Sequence, residues 1–225
     1  MNKFLNTVKR LTLFFIGMTI VQFGVALYLR TNIGSDPFTI FTQGLALTLN
    51  NVGVNATTGT ANRIILVILF AIIFLVQKKY IKIGTFICAI GIGPIIDMAV
   101  NVVSYFQIQN CSYAGKIALV VLGCLVIAIG FSILSSTNVG MAPNDIIPFI
   151  IKDKIKLEYR WIRMGFDATF LIAGYLLGGT VGLGTVIAML ITGPFIQTCL
   201  PYGEKIVNFI LAEESLSNGV EDINI

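Results

Sequence analysis

The sequence lacks histidine altogether and has few charged residues, which make up 12% of its 225 residues. Without histidine the chain lacks the commonest acid–base and metal-binding side chain. Four cysteines are present, but no pair has the spacing of metal ligands, so we interpret them as small buried hydrophobes. A nucleophile elbow and a phosphate-binding loop are absent as well. We therefore expect neither an enzyme nor a metal or cofactor site.

Apolar residues are what the chain has in abundance, at 56% of the total. No charge interrupts the stretch between Arg10 and Arg30, and Asp145 is the single charge between Lys116 and Lys152. A soluble protein of this size needs a far more charged surface. The basic residues flank the apolar segments instead of forming a continuous stripe, so a nucleic-acid partner is not expected. The sequence predicts an integral membrane protein that crosses the bilayer several times.

The predicted fold class is all-α, a polytopic transmembrane helix bundle. A hydrocarbon core of about 30 Å needs about 20 apolar residues per helix, and six segments approach that length. Two shorter segments look too polar to span, and residues 204–214 are amphipathic and predicted to lie on the membrane surface, followed by a polar, mobile tail. The six long segments are residues 11–29, 61–77, 83–104, 117–135, 164–178 and 183–200, and the short ones are residues 37–50 and 143–151.

The two halves of the sequence match in order, spacing and hydropathy, which indicates an internal duplication. We place the first membrane repeat at residues 1–108 and the second at 109–203, with residues 204–225 as amphipathic segment and cytoplasmic tail. The aligned pairs are 31–37 (TNIGSDP) with 137–143 (TNVGMAP), 83–85 (IGT) with 183–185 (LGT), and Gly93-Pro94 with Gly193-Pro194.

The charge distribution favours six spans over the alternative of eight helices with parallel repeats. If the short segments do not cross, 12 of the 15 basic residues share one side, and the repeats are inverted with both termini in the cytoplasm. The eight-span arrangement divides these residues 11 to 4, so the totals barely discriminate. It would, however, export the basic cluster at 78–82 and keep the basic-poor loop 107–115 inside.

Each short segment begins like a helix. Asp36 is a good N-cap and Pro37 suits the first helical position, while Pro143 takes that place in the second half. Acidic groups there complement the helix dipole. Alternatively, the segments are half-helices whose free N–H groups line a polar site.

The Gly-Pro pairs lie in mid-span, where proline frees a backbone carbonyl for a ligand or merely kinks the helix. Asp97, one turn beyond Pro94, is the best single prediction for a ligand or proton site, unless water solvates it near the outer interface. Asp167 is expected to pair with Arg163. The predicted substrate-binding residues are Asn32, Asp36, Pro37, Gly93, Pro94, Asp97, Asn138, Pro143, Asn144, Asp145, Gly193, Pro194 and Gln197.

These motifs resemble a known family. Residues 31–38 with 43–45, and the Gly-Thr and Gly-Pro motifs of both halves, are similar to the signature of the YczE/YyaS/YitT family of bacterial multi-pass membrane proteins. The resemblance covers about residues 11–200. The aromatic residue after the first proline is often Trp in that pattern and is Phe38 here, whereas the second half has Asn144. The resemblance implies a location in the bacterial cytoplasmic membrane and a permease role.

Two functions remain open at this point. The matched breaks in two repeats favour a small-molecule transporter or permease. The alternative is a non-transporting accessory or substrate-binding subunit of a larger membrane complex, in which the basic loop 152–163 either docks a partner or simply holds the topology. The expected partners are the lipid bilayer, an unidentified small-molecule substrate, and either another membrane protein or a second copy in a homo-oligomer.

Overall fold

The computed structural model describes the backbone of residues 2–221 and the side chains of residues 5–211. Within these residues the protein contains eight α-helices, two 3₁₀ turns (Lys78–Tyr80 and Ile108–Asn110) and no strand, so the all-α prediction is confirmed. The helices are α1 (Asn2–Arg30), α2 (Pro37–Asn51), α3 (Thr58–Val76), α4 (Ile83–Ser104), α5 (Tyr113–Ser136), α6 (Pro143–Ile155), α7 (Tyr159–Leu176) and α8 (Leu183–Glu221).

Five of the described helices, α1, α3, α4, α5 and α8, are long and apolar enough to cross a membrane. The multi-span character of the chain is thereby confirmed. α2 and α6 have 15 and 13 residues, so they rise only about 20 Å at 1.5 Å per residue. α7 has 18 residues but carries Arg160, Arg163 and Asp167, and the span predicted at residues 164–178 stays a prediction.

The end of the chain differs from the sequence-based expectation. Residues 204–214 are not a separate surface helix, because α8 runs without a break through Pro194 and Pro201. One proline removes a single hydrogen bond, and the remaining helix can continue when packing supports it. Here Val207 is buried, and a side chain at Gly203 would lie 2.5 Å from the Ser132 backbone. Residues 222–225 of the predicted tail lie outside the described residues.

The antiparallel pair α1 and α5 forms the centre of the bundle. Gly17 lies against Gly130, and Gly24 lies against Gly123. A Cβ atom on any of these four glycines would come within 2.8 Å of the opposing backbone. Small residues allow such close approach, and close approach is a main source of helix association in membranes. The four glycines therefore fix where the two helices cross.

Each central helix carries a parallel neighbour. α4 lies beside α1, where Met18 and Cys88 share one hydrophobic cluster and, farther along both helices, Ala26 and Ala99 share another. α8 lies beside α5 in the same way. The short helix α2 packs on α7, and α6 packs on α3, so each short helix contacts the other half of the chain.

Two matched backbone contacts join the halves. The Gly84 N–H at the start of α4 donates to the Val139 carbonyl at 3.0 Å, and the Gly184 N–H at the start of α8 donates to the Ile33 carbonyl at 3.0 Å. Both acceptors follow an asparagine in the left-handed region, Asn32 (φ 53°) and Asn138 (φ 62°). Asparagine tolerates this conformation better than other non-glycine residues, which explains its presence in both loops.

Candidate functional site

Arg163 of α7 lies between two carboxylates, Asp145 of α6 and Asp167 of α7. Its Nη1 atom is 2.8 Å from Asp145 Oδ1, and its Nε atom is 3.0 Å from Asp167 Oδ2. The side chains are 16%, 21% and 6% exposed, in the order Arg163, Asp145, Asp167. These three residues are called the charged cluster below. Buried ions of this kind need mutual pairing to offset their desolvation.

The local sequence explains how the charged cluster forms. Arg163 and Asp167 are four residues apart and share one face of α7, so their predicted pairing is confirmed. Asp145 lies in the first turn of α6, where a negative charge complements the helix dipole. The N-cap of α6 is Ala142, whose side chain cannot accept a hydrogen bond.

The matching helix α2 begins differently. Asp36 caps it, since its Oδ2 accepts from the Thr39 N–H at 2.9 Å and its Oδ1 from the Thr39 hydroxyl at 2.6 Å. The N-cap prediction for Asp36 is thereby confirmed, with Pro37 in the first turn. Asp36 thus accepts a hydrogen bond from the backbone of α2, whereas Asp145 of α6 forms an ion pair with the Arg163 guanidinium.

The N-termini of both short helices converge on the middle of α7. The Phe38 ring of α2 lies 5.2 Å from the Phe170 ring, and Ile147 of α6 packs in the same cluster. Asp36 and Asp145 are both close enough to Asp167 to interact with it electrostatically. The site therefore combines residues from both halves of the chain.

Two buried tyrosines border the charged cluster. Tyr28 and Tyr159 are 2% and 1% exposed. Neither hydroxyl has a hydrogen bond of good geometry within the described part of the chain, although Thr185 lies beside the first and Arg163 beside the second. An unsatisfied buried hydroxyl costs free energy. Each hydroxyl therefore has one polar neighbour, Thr185 or Arg163, and room for a better hydrogen bond.

A cavity of about 350 Å³ approaches this region from the side that carries Lys78–Lys82. Its wall includes Phe149, whose ring is 4.8 Å from the Tyr159 ring. The cavity, called the vestibule below, thus ends one aromatic layer away from the charged cluster. Its remaining lining residues are Lys79, Tyr80, Lys82, Ser135, Asn138, Gly140, Met141 and Asp153.

Polar contacts close the rim of the vestibule. The Tyr80 hydroxyl donates to Asp153, and the Lys79 ammonium lies 3.9 Å from the same carboxylate. The Lys82 ammonium donates to the side chain and the carbonyl of Asn138. Burial and the contact with Asp153 raise the pKa of Tyr80 to about 12, so this contact persists at physiological pH.

The predicted site residues fall into separate groups. Asp36, Pro37, Pro143, Asn144 and Asp145 lie at the two converging N-termini, where the Asn144 amide donates to Asp145 at 3.3 Å. Asn138 lines the vestibule, and Asn32 occupies the matching loop.

The two Gly-Pro motifs differ in their distance from the charged cluster. Gln197 of α8 accepts a hydrogen bond from the Arg160 N–H at 2.9 Å, and Gly193 lies beside the Arg160 carbonyl, with Pro194 one residue on. Gly93, Pro94 and Asp97 lie on an exposed face of α4, away from the charged cluster.

Arg163, Tyr159 and Tyr28 were not among the site residues predicted from the sequence. A signal for Arg163 existed, because ionisable residues within an otherwise apolar helix are usually functional or paired. Its contact with Asp145 joins residues 18 positions apart on different helices. No local pattern specifies such a contact.

Comparison with known proteins gives a family but no activity. Residues 8–201 match a family described as a family of unknown function, DUF6198. The uncharacterised membrane protein YczE of Bacillus subtilis is 27% identical over 209 residues, which cover 92% of this chain and 93% of YczE. The uncharacterised protein YyaS of the same organism is 29% identical over 192 residues, covering 84% of this chain and 92% of YyaS. No solved structure matches the chain significantly. The predicted resemblance to YczE and YyaS is confirmed, and the chain belongs to the DUF6198 family.

Proposed function

We propose that the protein is a small-molecule permease of the bacterial cytoplasmic membrane, and that its solute site is the charged cluster. The observation that carries this proposal is the position of Arg163. A guanidinium shared by two carboxylates lies where the short helices of both halves begin. Helix ends and ionisable groups at membrane depth are the usual components of transporter solute sites.

The packing of the helices supports inverted repeats with six crossings. Because α1 and α5 are antiparallel, the chain crosses the membrane an odd number of times from α1 up to the start of α5. One short re-entrant helix and three spans per half satisfy this requirement. α7 is then the fifth span in chain order, and its buried charges, Arg163 and Asp167, are paired with each other and with Asp145.

In this topology the vestibule opens to the cytoplasm, in agreement with the basic residues Lys79 and Lys82 on its rim. A solute entering there meets the Phe149–Tyr159 layer, which separates it from Arg163. Movement of that layer would give a polar solute access to the guanidinium. The solute would replace one carboxylate as the partner of Arg163 and would accept or donate hydrogen bonds at the Tyr28 and Tyr159 hydroxyls, which lack one of good geometry.

The test begins with the purified protein and a thermal-shift screen of small polar solutes. Solutes that raise the melting temperature are then measured for uptake into proteoliposomes. The variants are Asp145→Asn and Arg163→Lys, which keep the size or charge at the site, with Lys154→Ala as an exposed control on α6. We expect wild type and the control to bind and transport alike, and both site variants to lose at least tenfold in apparent affinity.

Two results would overturn the proposal. One is transport of an identified solute at wild-type affinity by both site variants. The other is that no solute in a broad screen stabilises the protein or enters proteoliposomes. The fold of each variant is checked by its gel-filtration profile, so that loss of affinity is not confused with loss of structure.

A further inference from the structure

The hydrogen bonds of the charged cluster are incomplete on both the donor and the acceptor side. Arg163 donates from Nη1 to Asp145 and from Nε to Asp167, while its Nη2 atom has no hydrogen bond of good geometry within the described part of the chain. Asp145 Oδ2 and Asp167 Oδ1 likewise receive no donor from the described residues. A guanidinium and a carboxylate each have more hydrogen-bonding positions than are used here. The cluster therefore offers unused donors beside unused acceptors.

The charges of the cluster do not balance. One guanidinium faces two carboxylates, and Asp36 at the start of α2 is close enough to act on Asp167 as a further negative charge. No other basic side chain forms an ion pair with Asp145 or Asp167 among the residues that the structure describes. The cluster as a whole is therefore net negative.

This imbalance limits which solute can replace a carboxylate on Arg163. A purely anionic solute would leave the displaced aspartate buried without a counter-charge, which is strongly destabilising. A purely cationic solute would bind carboxylates whose other oxygens lie 2.8 and 3.0 Å from the guanidinium, so Arg163 would repel it. A neutral hydroxyl forms a weaker bond to the guanidinium than the carboxylate that it displaces. A solute that carries both a negative and a positive group avoids all three costs.

We infer that the solute is a small zwitterion of the amino-acid class, an inference that rests on the proposed permease function. The solute carboxylate binds the two terminal nitrogens of Arg163 in parallel and displaces Asp145, while Asp167 keeps its contact with Nε. The solute ammonium donates to the freed Asp145 carboxylate and neutralises it. A primary ammonium is required, because a quaternary nitrogen has no N–H to donate.

The vestibule has the mixed charge that suits a zwitterion. Lys79, Lys82 and Asp153 all line it, so groups of both signs meet the solute before it reaches the Phe149–Tyr159 layer. A pathway lined by charges of one sign would instead select ions of the opposite sign. The volume of about 350 Å³ is that of a site for a small molecule.

The test compares matched solutes on the purified wild-type protein. Leucine is measured beside the carboxylic acid that lacks its amino group, the amine that lacks its carboxyl group, and its N-trimethyl form. Alanine and phenylalanine are treated in the same way, and binding is followed by isothermal titration calorimetry. We expect at least one of these amino acids to bind at least tenfold more tightly than its three analogues.

Two variants then separate the roles of the two charges. Asp145→Asn removes the partner of the ammonium but keeps Arg163, so the amino acid should lose at least tenfold in affinity while its deaminated acid binds as well as before or better. Arg163→Lys should weaken both, because lysine cannot form the paired bonds of a guanidinium. Lys154→Ala, exposed on α6, should match the wild type. The melting temperature of each ligand-free variant shows that it is folded.

Three results would overturn the inference. None of the amino acids could bind, one of the analogues could bind as tightly as its amino acid, or Asp145→Asn could weaken the deaminated acid as much as the amino acid. If a solute of another class binds and both site variants lose it, the zwitterion is wrong and the proposed function stands. An amino acid that binds both site variants with wild-type affinity would contradict both proposals.

Discussion

The helices α4 and α8 begin with the same motif and continue through the same Gly-Pro pair, yet they lie in different surroundings. On α8, Gly193 and Gln197 contact the backbone of α7. On α4, Gly93 and Asp97 face outward. The difference arises because α7 packs against α8, while α3 makes no comparable contact with α4. A shared motif therefore fixes the course of a helix but not the element that covers it.

The largest predicted difference in stability is between variants of the buried Arg163 and of the exposed Asp97. Arg163→Gln leaves Asp145 and Asp167 buried without a counter-charge, and breaking such a pair costs about 3–5 kcal/mol. Asp97→Asn removes an exposed charge from α4 and should change the stability of the isolated chain by less than about 0.5 kcal/mol. The measurement is unfolding of the two variants in detergent. Similar losses from both would show that the halves do not differ in the way described.

A smaller effect compares the two mid-span glycines directly. Gly193→Leu places a side chain against the Arg160 carbonyl and Met164, and overpacking of this kind costs about 1–3 kcal/mol. Gly93→Leu meets no neighbouring atom and should not destabilise the monomer. Melting temperatures of the two variants in detergent check the pair. Equal melting temperatures would contradict the different packing of α4 and α8.

The smallest effect concerns the starts of the two short helices. Asp36→Ala removes the hydrogen bonds to Thr39 and should cost about 1 kcal/mol, as the loss of an N-cap does. Asp145→Ala does not uncap α6, and acts instead through Arg163. Adding Arg163→Gln should therefore reduce the effect of Asp145→Ala but leave that of Asp36→Ala unchanged. A double-mutant cycle measures both couplings, and equal coupling for the two acids would disprove the distinction.

Much of the fold follows from local sequence. The charge-free runs predict the spans, and Pro37 and Pro143 mark the starts of both short helices. The pair Arg163–Asp167 follows from spacing on one helix. The Asp145–Arg163 contact and the exposure of Asp97 could not be predicted, because both depend on which helices become neighbours. The continuity of α8 through Pro201 was missed because its packing on α5 at Gly203 is also a tertiary effect.

The glycine crossing of α1 and α5 has a mechanical consequence. The two contacts, Gly17 with Gly130 and Gly24 with Gly123, are seven residues apart, or about 10 Å along each helix. The two central helices therefore touch backbone to backbone along a short segment, with Ile20 and Ile127 packed beside the glycines. The crossing therefore fixes the spacing between the two halves, whose joints Ile33–Gly184 and Val139–Gly84 lie beyond its opposite ends.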